Sequence, residues 1–339
     1  MKRLLASLTL FAGLGLLPLV QGGEKEFPTF GSIIRKQPAI DALIPLDAKL
    51  EKLATGFKWT EGPVWIKNGG YVLFSDIPNN AIHQWQPGKG LTRDFIKPAG
   101  YTGTAPRDGE PGSNGLMLDS QGRITLCEHG DRRVTRIEKD GKKTVLADKY
   151  DGKRFNSPND LVYHSNGDLY FTDPPYGLVK NWDDPARELD FCGIYRLKKD
   201  GTIVLLHKDM TRPNGITFSP DEKTLYVANS DPKKAVWMSF PVREDGSLGD
   251  GKVFYDSTET VGKKPGLPDG MKVDVKGNIF ATGPGGVCVM APDGTLLGRF
   301  LTADRTANLC FGGDDGQTLF VCVNHRIGKV RVTAKGIGW

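Results

Sequence analysis

The sequence predicts an all-β chain folded as a six-bladed β-propeller of four-stranded antiparallel blades, closed by an N-terminal strand in the last blade. Three observations carry this. One unit recurs six times: a polar residue, a short apolar run, a turn and a second apolar run, seen most fully in RFNSPNDLVYHSNGDLYFTDPPYG, residues 154–177. Two short strands joined by a Gly-containing turn make a β-hairpin. The copies are anchored at Glu61, Asn114, Asn159, Asn214, Asp269 and Asn308, in steps of 53, 45, 55, 55 and 39 residues that bracket the period of four-stranded propeller blades. The 339 residues also include 43 Gly and 22 Pro, a turn-rich composition suited to many short strands. A hairpin cannot bury both faces alone, so the copies stack, and a ring leaves only short protected edges. The first strand of each blade then lines the axis, and the six polar anchors should converge on one channel mouth.

The chain opens with MKRLLASLTLFAGLGLLPLVQGG. Lys2 and Arg3 precede an apolar run from Leu4 to Val20, interrupted by Gly13, Gly15 and Pro18, with small residues near position 22. This reads as a signal peptide over residues 1–22, removed on export to a periplasm or the medium. No later stretch is apolar enough to cross a bilayer, so no stable membrane insertion is expected after its removal. Residues 23–47, with Pro28, Pro38 and Pro45, read as an irregular lead-in to a propeller domain over 48–339. A strand over Ala48 to Ala54 is expected to complete the last blade, since the copy from Asn308 has room for only about three strands.

In the first blade Glu61 enters the apolar run Val64-Trp65, where a carboxylate is costly unless it is paired or meets a cation. The second anchor, Asn114, follows a loop rich in Gly and Pro, of a kind that shapes a propeller entrance. Past its second strand lies CEHGDRR, whose His129 suits either proton transfer or a hydrogen-bonded turn. In the third copy Arg154 and Asn156 are close enough in sequence to reach a ligand above Asn159 and Asp160, and the rigid turn Asp173 to Gly177 puts Tyr176 on the pocket wall. Asn114, His129, Arg154, Asn156 and Tyr176 are thus the candidate substrate contacts. RPNG and LPDG repeat the pattern at Asn214 and Asp269.

The six anchors are two acids and four amides, with no histidine or cysteine. Such an oxygen-only set suits a hard cation, Ca²⁺ above all, because Ca²⁺ accepts irregular sets of six to eight oxygens. Mg²⁺, Mn²⁺ or Zn²⁺ are expected only as substitutes. The five cysteines, Cys127, Cys192, Cys288, Cys310 and Cys322, show no CxxC spacing, and an oxidising compartment leaves room for one bridge without assigning it. There is no HExxH, GxSxG or phosphate-binding loop. A formal charge of +5, or about +3 without the leader, is too small and dispersed for a nucleic-acid reader, and clusters such as Arg132-Arg133 and Lys263-Lys264 read as solvated blade edges. Nothing in the sequence sets an oligomeric state.

EGPVW, the Asn-Asp of SPND, RPNG, PDGM and the late CFGG, one motif per blade and in order, resemble the SMP-30/gluconolactonase/luciferin-regenerating family over nearly the whole mature chain. The likeness is to exported bacterial-type members with a Pro-Asn-Asp run. In animal members an Arg-Phe-Asn-Asp run places a substrate-contacting arginine two residues before the ligand asparagine; here Ser157 falls at that spacing. The resemblance implies a divalent cation on the axis, usually calcium, held by Glu61, Asn159, Asn214 and Asp269. It implies hydrolysis of a sugar lactone, the cation polarising the carbonyl and Asp269 activating water, with Asp160 orienting ligands or sharing that task. Ring size and stereochemistry would be read by loops around 100–113 and 174–190. Another esterase or organophosphate-type hydrolase on the same scaffold stays open, as does a non-catalytic propeller that binds a carbohydrate or partner and keeps a structural cation.

Overall fold

The computed structural model describes residues 26–339, so the expected signal peptide lies outside the described residues. Six antiparallel sheets stand around one axis. Their innermost strands are Thr60–Ile66, Ser113–Leu118, Leu161–Tyr163, Pro213–Phe218, Met271–Val273 and Thr306–Gly312. Each touches the next, and the last touches the first, which closes the ring. Among the described residues no helix is long and apolar enough to cross a membrane.

Alternation explains the blades. In Tyr71–Asp76 and Ala81–Gln86 of the first blade, Val72 and Trp85 pack toward the sixth blade while Leu73 and Ile82 pack toward the second. Period-two patterning therefore buries both faces of every sheet between its neighbours. Aromatic rings fill the wedge: Trp65 stacks on Phe320 at 5.2 Å between the first and sixth blades, and Phe280 meets Phe311 edge-on at 5.3 Å between the fifth and sixth. All five cysteines are buried free thiols, and burial pushes Cys192 and Cys310 up to about 12, so they behave as apolar filling.

Strand Glu51–Thr55 lies beside Arg326–Arg331, in one sheet with Thr318–Val323 and Thr306–Gly312, so this blade contains both ends of the propeller. The lead-in is more ordered than its prolines suggest. Ser32–Arg35 adds a fifth strand to the outer edge of the fifth blade, against Leu296–Leu301, and Pro38 starts a short 3₁₀ turn that buries Ile40. Arg35 pins this turn by donating to Asp41 at 2.6 Å and to the Pro45 carbonyl at 2.6 Å. Only the exposed edge of an already formed sheet offers four such residues a partner.

Neighbouring blades are laced by hydroxyls on their second strands. Ser75 donates to the Asn114 carbonyl at 2.9 Å and Thr172 to the Asn214 carbonyl at 2.7 Å. Thr282 reaches the carbonyls of Ala307, at 2.8 Å, and Gly270, at 3.0 Å. Arg132 is likewise a structural pin and not a solvated edge: it is buried, and its guanidinium donates to the carbonyls of Phe155 at 2.7 Å and Ala186 at 2.8 Å. Arg133 pairs with Glu128 and Asp131. Replacing Thr172 by valine keeps its shape but leaves the Asn214 carbonyl without its donor. We expect a loss of about 1–3 kcal/mol, read as a lower urea midpoint at unchanged slope.

Candidate functional site

At one mouth of the ring lies a cavity of about 670 Å³. Five of the six anchors, Glu61, Asn114, Asn159, Asn214 and Asp269, line it. Their convergence depends on how closely the inner strands approach. Gly115 N donates to the Asn159 carbonyl at 2.8 Å and Gly270 N to the Ala307 carbonyl at 2.8 Å. A Cβ on Gly62 would stand 2.0 Å from the Asn114 carbonyl oxygen, and one on Gly215 would stand 2.2 Å from that of Asp269. Glycine after the anchor is what lets these backbones touch.

The sixth anchor is set lower. Asn308 does not line the cavity; its amide lies against Glu61 and donates to Asp160 Oδ2 at 3.4 Å, while its own Oδ1 accepts from Leu309 N at 2.8 Å. Asp160 is buried beneath the floor, where Oδ1 accepts from Leu161 N at 2.9 Å. It supports the site from below and is not placed to meet a ligand in the cavity.

The floor is acidic and crowded. Burial, with Asp160's charge adding to it, raises the Glu61 carboxyl to about 8 even though Oε2 accepts from Gly62 N at 2.7 Å. Asp269, open to the cavity on one side, is raised well above the carboxylate range, first by its surroundings of protein and then by Glu61. Burial raises Asp160 as well, against the pull of Lys272. Burial of this kind disfavours the charged form of all three acids. Three oxygens at the cavity, Asn114 Oδ1, Asn214 Oδ1 and Asp269 Oδ1, are buried with no hydrogen-bond partner. For Asn214 the orientation is set by Nδ2, which donates to Ser230 Oγ at 3.0 Å. Buried acceptors left unpaired are costly, and a cation satisfies several at once, so the donor set fits Ca²⁺. Among the described residues no three His, Cys, Asp or Glu side chains are grouped to hold a metal ion, so a cation here depends on amide oxygens.

The other expected contacts divide. Tyr176 lines the cavity, and burial pushes its hydroxyl well above the ordinary range, so it remains a neutral donor. His129 is fully buried behind Asn114, with Nε2 3.3 Å from Asn114 Nδ2, and does not reach the cavity. Arg154 and Asn156 are corrected. Arg154 is exposed and donates to the Asp131 carbonyl at 2.9 Å. Asn156 is buried and spends Nδ2 on the carbonyls of Asp173, at 3.0 Å, and Phe191, at 2.8 Å. The extra residues before Asn159 fold down onto Asp173, which accepts the amides of Asn156 and Ser157 at 2.8 Å each, and so draw this loop off the mouth.

Sequence reasoning missed Glu110, Trp59 and the wall built from 261–267 and Arg305. Lys263 and Lys264 are exposed as expected but belong to this wall and not to a blade edge. Their position directly before the fifth anchor was the available signal, because the segment entering an inner strand must pass over the mouth.

The family model for the SMP-30/gluconolactonase/LRE-like region matches residues 59–325. A gluconolactonase from Zymomonas mobilis is 38% identical over 320 residues, covering 91% of this chain and 88% of its own length. A pentonolactonase from Haloferax volcanii is 28% identical over 273 residues, covering 79% and 82%. The solved structure of a gluconolactonase from Xanthomonas campestris superposes with a TM-score of 0.78 at 31% identity, covering 92% of this chain and 99% of that one.

The strand contacts make a prediction. Gly215→Ala must push the fourth and fifth blades apart at the cavity, since neither backbone can yield at 2.2 Å. We expect it to lower stability by about 2 kcal/mol in urea unfolding, with no comparable loss for an alanine at an exposed strand position.

Proposed function

The chain belongs to the SMP-30/gluconolactonase/LRE-like family, and on that premise we propose that it is an exported, calcium-dependent lactonase that opens sugar lactones by hydrolysis. The observation that carries this reading is the meeting of Glu61, Asn159, Asn214 and Asp269 over one cavity, with oxygens of Asn214 and Asp269 left without donors. The two curated relatives described above act on lactones by name, and a volume of about 670 Å³ suits a ligand of that size.

Glu61, Asn159, Asn214 and Asp269 would hold the Ca²⁺, which when bound supplies Lewis-acid polarisation of the lactone carbonyl. The remaining work falls to the chain itself. Water adds to the carbonyl carbon, the ring C–O bond breaks, and the water's proton passes through a carboxylate to the departing ring oxygen. Asp269 is the side chain assigned to that transfer: it faces the cavity, and burial, with Glu61's charge adding to it, raises its proton affinity. Tyr176, held neutral by burial, donates to a substrate oxygen. The Asn308 amide lies between Glu61 and Asp160 beneath the cavity and hydrogen-bonds to both. Since neither Asn308 nor Asp160 lines the cavity, Asp160 is a positioning residue in this scheme. The natural site of action is a periplasm or the medium, once the leader over 1–22 has been removed.

A pH-indicator assay with glucono-1,5-lactone and a small lactone panel tests the reading. Acid release should require Ca²⁺, stop in chelator and return on adding calcium back. Asp269→Asn should cost about 10²-fold or more in kcat. Independently of turnover, Ca²⁺ at a hundred times its Kd should stabilise the wild type by about 2.7 kcal/mol, seen as a higher Tm that chelator reverses. If calcium raises Tm but no lactone turns over, the ion is structural or the substrate is another ester, a phosphoester or a bound carbohydrate.

A further inference from the structure

The cavity has two poles. Its acids, Glu61, Asp269 and Glu110, lie near enough for the charge of Glu110 to act on both of the others. Its cations, Lys263, Lys264 and Arg305, come from two further segments: 261–267, which leads to the inner strand of the fifth blade, and the residue directly before the inner strand Thr306–Gly312 of the sixth. The hydrolytic scheme uses none of the three cations. Other cations of this chain meet carboxylates, as Lys143 meets Glu128 at 2.6 Å and Arg35 meets Asp41 at 2.6 Å. Among the described residues no carboxylate pairs with Lys263, Lys264 or Arg305 in that way. Asp304, next to Arg305, is already engaged: Oδ1 accepts from Arg305 N at 2.8 Å, Asn324 Nδ2 donates to both oxygens at 3.2 and 3.3 Å, and Arg326 stands 3.7 Å from Oδ2.

The segment that presents the lysines is held against its own blade. Lys263 N and Lys264 N both donate to the Thr260 carbonyl at 3.2 Å, and Gly285 N donates to the Pro265 carbonyl at 2.7 Å. The Lys264 stem crosses the turn at Gly285, where a Cβ would stand 2.9 Å from its Cδ. Gly266, at a φ of +100°, lies so close to the same hairpin that a Cβ on it would stand 2.9 Å from the Gly283 carbonyl oxygen. A backbone fixed in this way presents its charges with little left to order on binding.

We propose that Lys263, Lys264 and Arg305 receive an anionic group, a carboxylate or a phosphate, at the end of the substrate remote from its lactone carbonyl. That the substrate is a lactone rests on the reading above; that this wall takes an anion does not. The two poles assign the two ends. A cation held by Glu61, Asn159, Asn214 and Asp269 draws the carbonyl oxygen, whereas Glu110 and the floor acids repel an anionic tail from their side. On the other wall the three cations offer charge-assisted hydrogen bonds, roughly twice as strong as neutral ones. A neutral sugar lactone would leave these groups in water. Hydrolysis of an acidic lactone gives a product with an anion at each end, the new carboxylate at the floor and the original anion at the wall.

Two substrate pairs that differ only at C6 test this: D-glucono-1,5-lactone with its 6-phosphate, and D-glucono-1,4-lactone with D-glucaro-1,4-lactone. The calcium-loaded wild type should favour an anionic member by about tenfold in kcat/KM, and the pair with the larger preference tells phosphate from carboxylate. Preference in neither pair overturns the proposal. The double variant Lys263→Gln/Lys264→Gln, and separately Arg305→Gln, should lower that preference several-fold, while Lys263→Arg/Lys264→Arg, which keeps the charge, should retain most of it. Added NaCl should narrow it in the wild type, because these charges are open to screening. A loss that falls equally on both members of a pair, in a variant of wild-type Tm, overturns the role assigned to the wall. Binding gives a readout without turnover. At fixed free calcium, D-glucarate should bind more tightly than D-gluconate in calorimetry, and the double glutamine variant should remove most of the difference. If the wild type cleaves no lactone, the lactonase reading fails while this comparison still decides the wall, and equal affinities overturn it.

Discussion

Close approach of the six inner strands around the axis is the constraint on which the rest of this structure depends. Ordinary side chains would hold these backbones apart, and glycine after the anchor removes the obstacle at Gly62, Gly115, Gly215 and Gly270. The third blade departs from the pattern with Asp160. There the neighbouring glycine makes the room, since a Cβ on Gly115 would meet Asp160 Oδ1 at 2.7 Å. Hydroxyls from the second strands then secure the same junctions from outside, as Ser75, Thr172 and Thr282 do. Packing and hydrogen bonding act at one place, so the ring and the cavity floor form together.

That closeness has an electrostatic consequence. Strands in contact at the axis bring Glu61, Asp160 and Asp269 into one buried region, where burial and then Asp160's charge raise the proton affinity of Glu61, and burial and then Glu61 and Asp160 raise that of Asp269. Folding therefore creates an unfavourable cluster that a divalent cation, a proton or the cation–substrate pair can relieve. The orphaned oxygens of Asn114, Asn214 and Asp269 belong to the same account. The blades are tightly packed around the ring, with Trp85, Trp237 and Phe280 fully enclosed, and three buried oxygens without partners gather at the open mouth, as at binding sites.

Much of this was readable along the chain because the fold repeats. Six anchors at blade spacing point to six inner strands, and residues at equivalent places in repeated units end up on one surface. Five of the six anchors duly line the cavity. The repeat was less informative where a copy deviates. Arg154 and Asn156 lie in an insertion peculiar to the third unit, and Asp173 draws that loop away from the mouth. Asn308 has the right register but Leu309 and not glycine behind it, and its amide turns to Glu61 and Asp160 instead of the cavity.

By itself the sequence determined the architecture, the identity of the oxygen-bearing anchors and the absence of a nitrogen or sulfur ligand set among them. These depend on local periodicity and on residue types, which a linear reading preserves. Only the tertiary structure decided which polar atoms face the cavity, that Lys263, Lys264 and Glu110 join its wall, that Ser32–Arg35 becomes a sheet edge, and that His129 stands behind Asn114. Each of these is a relation between segments of different blades or loops, which folding alone supplies.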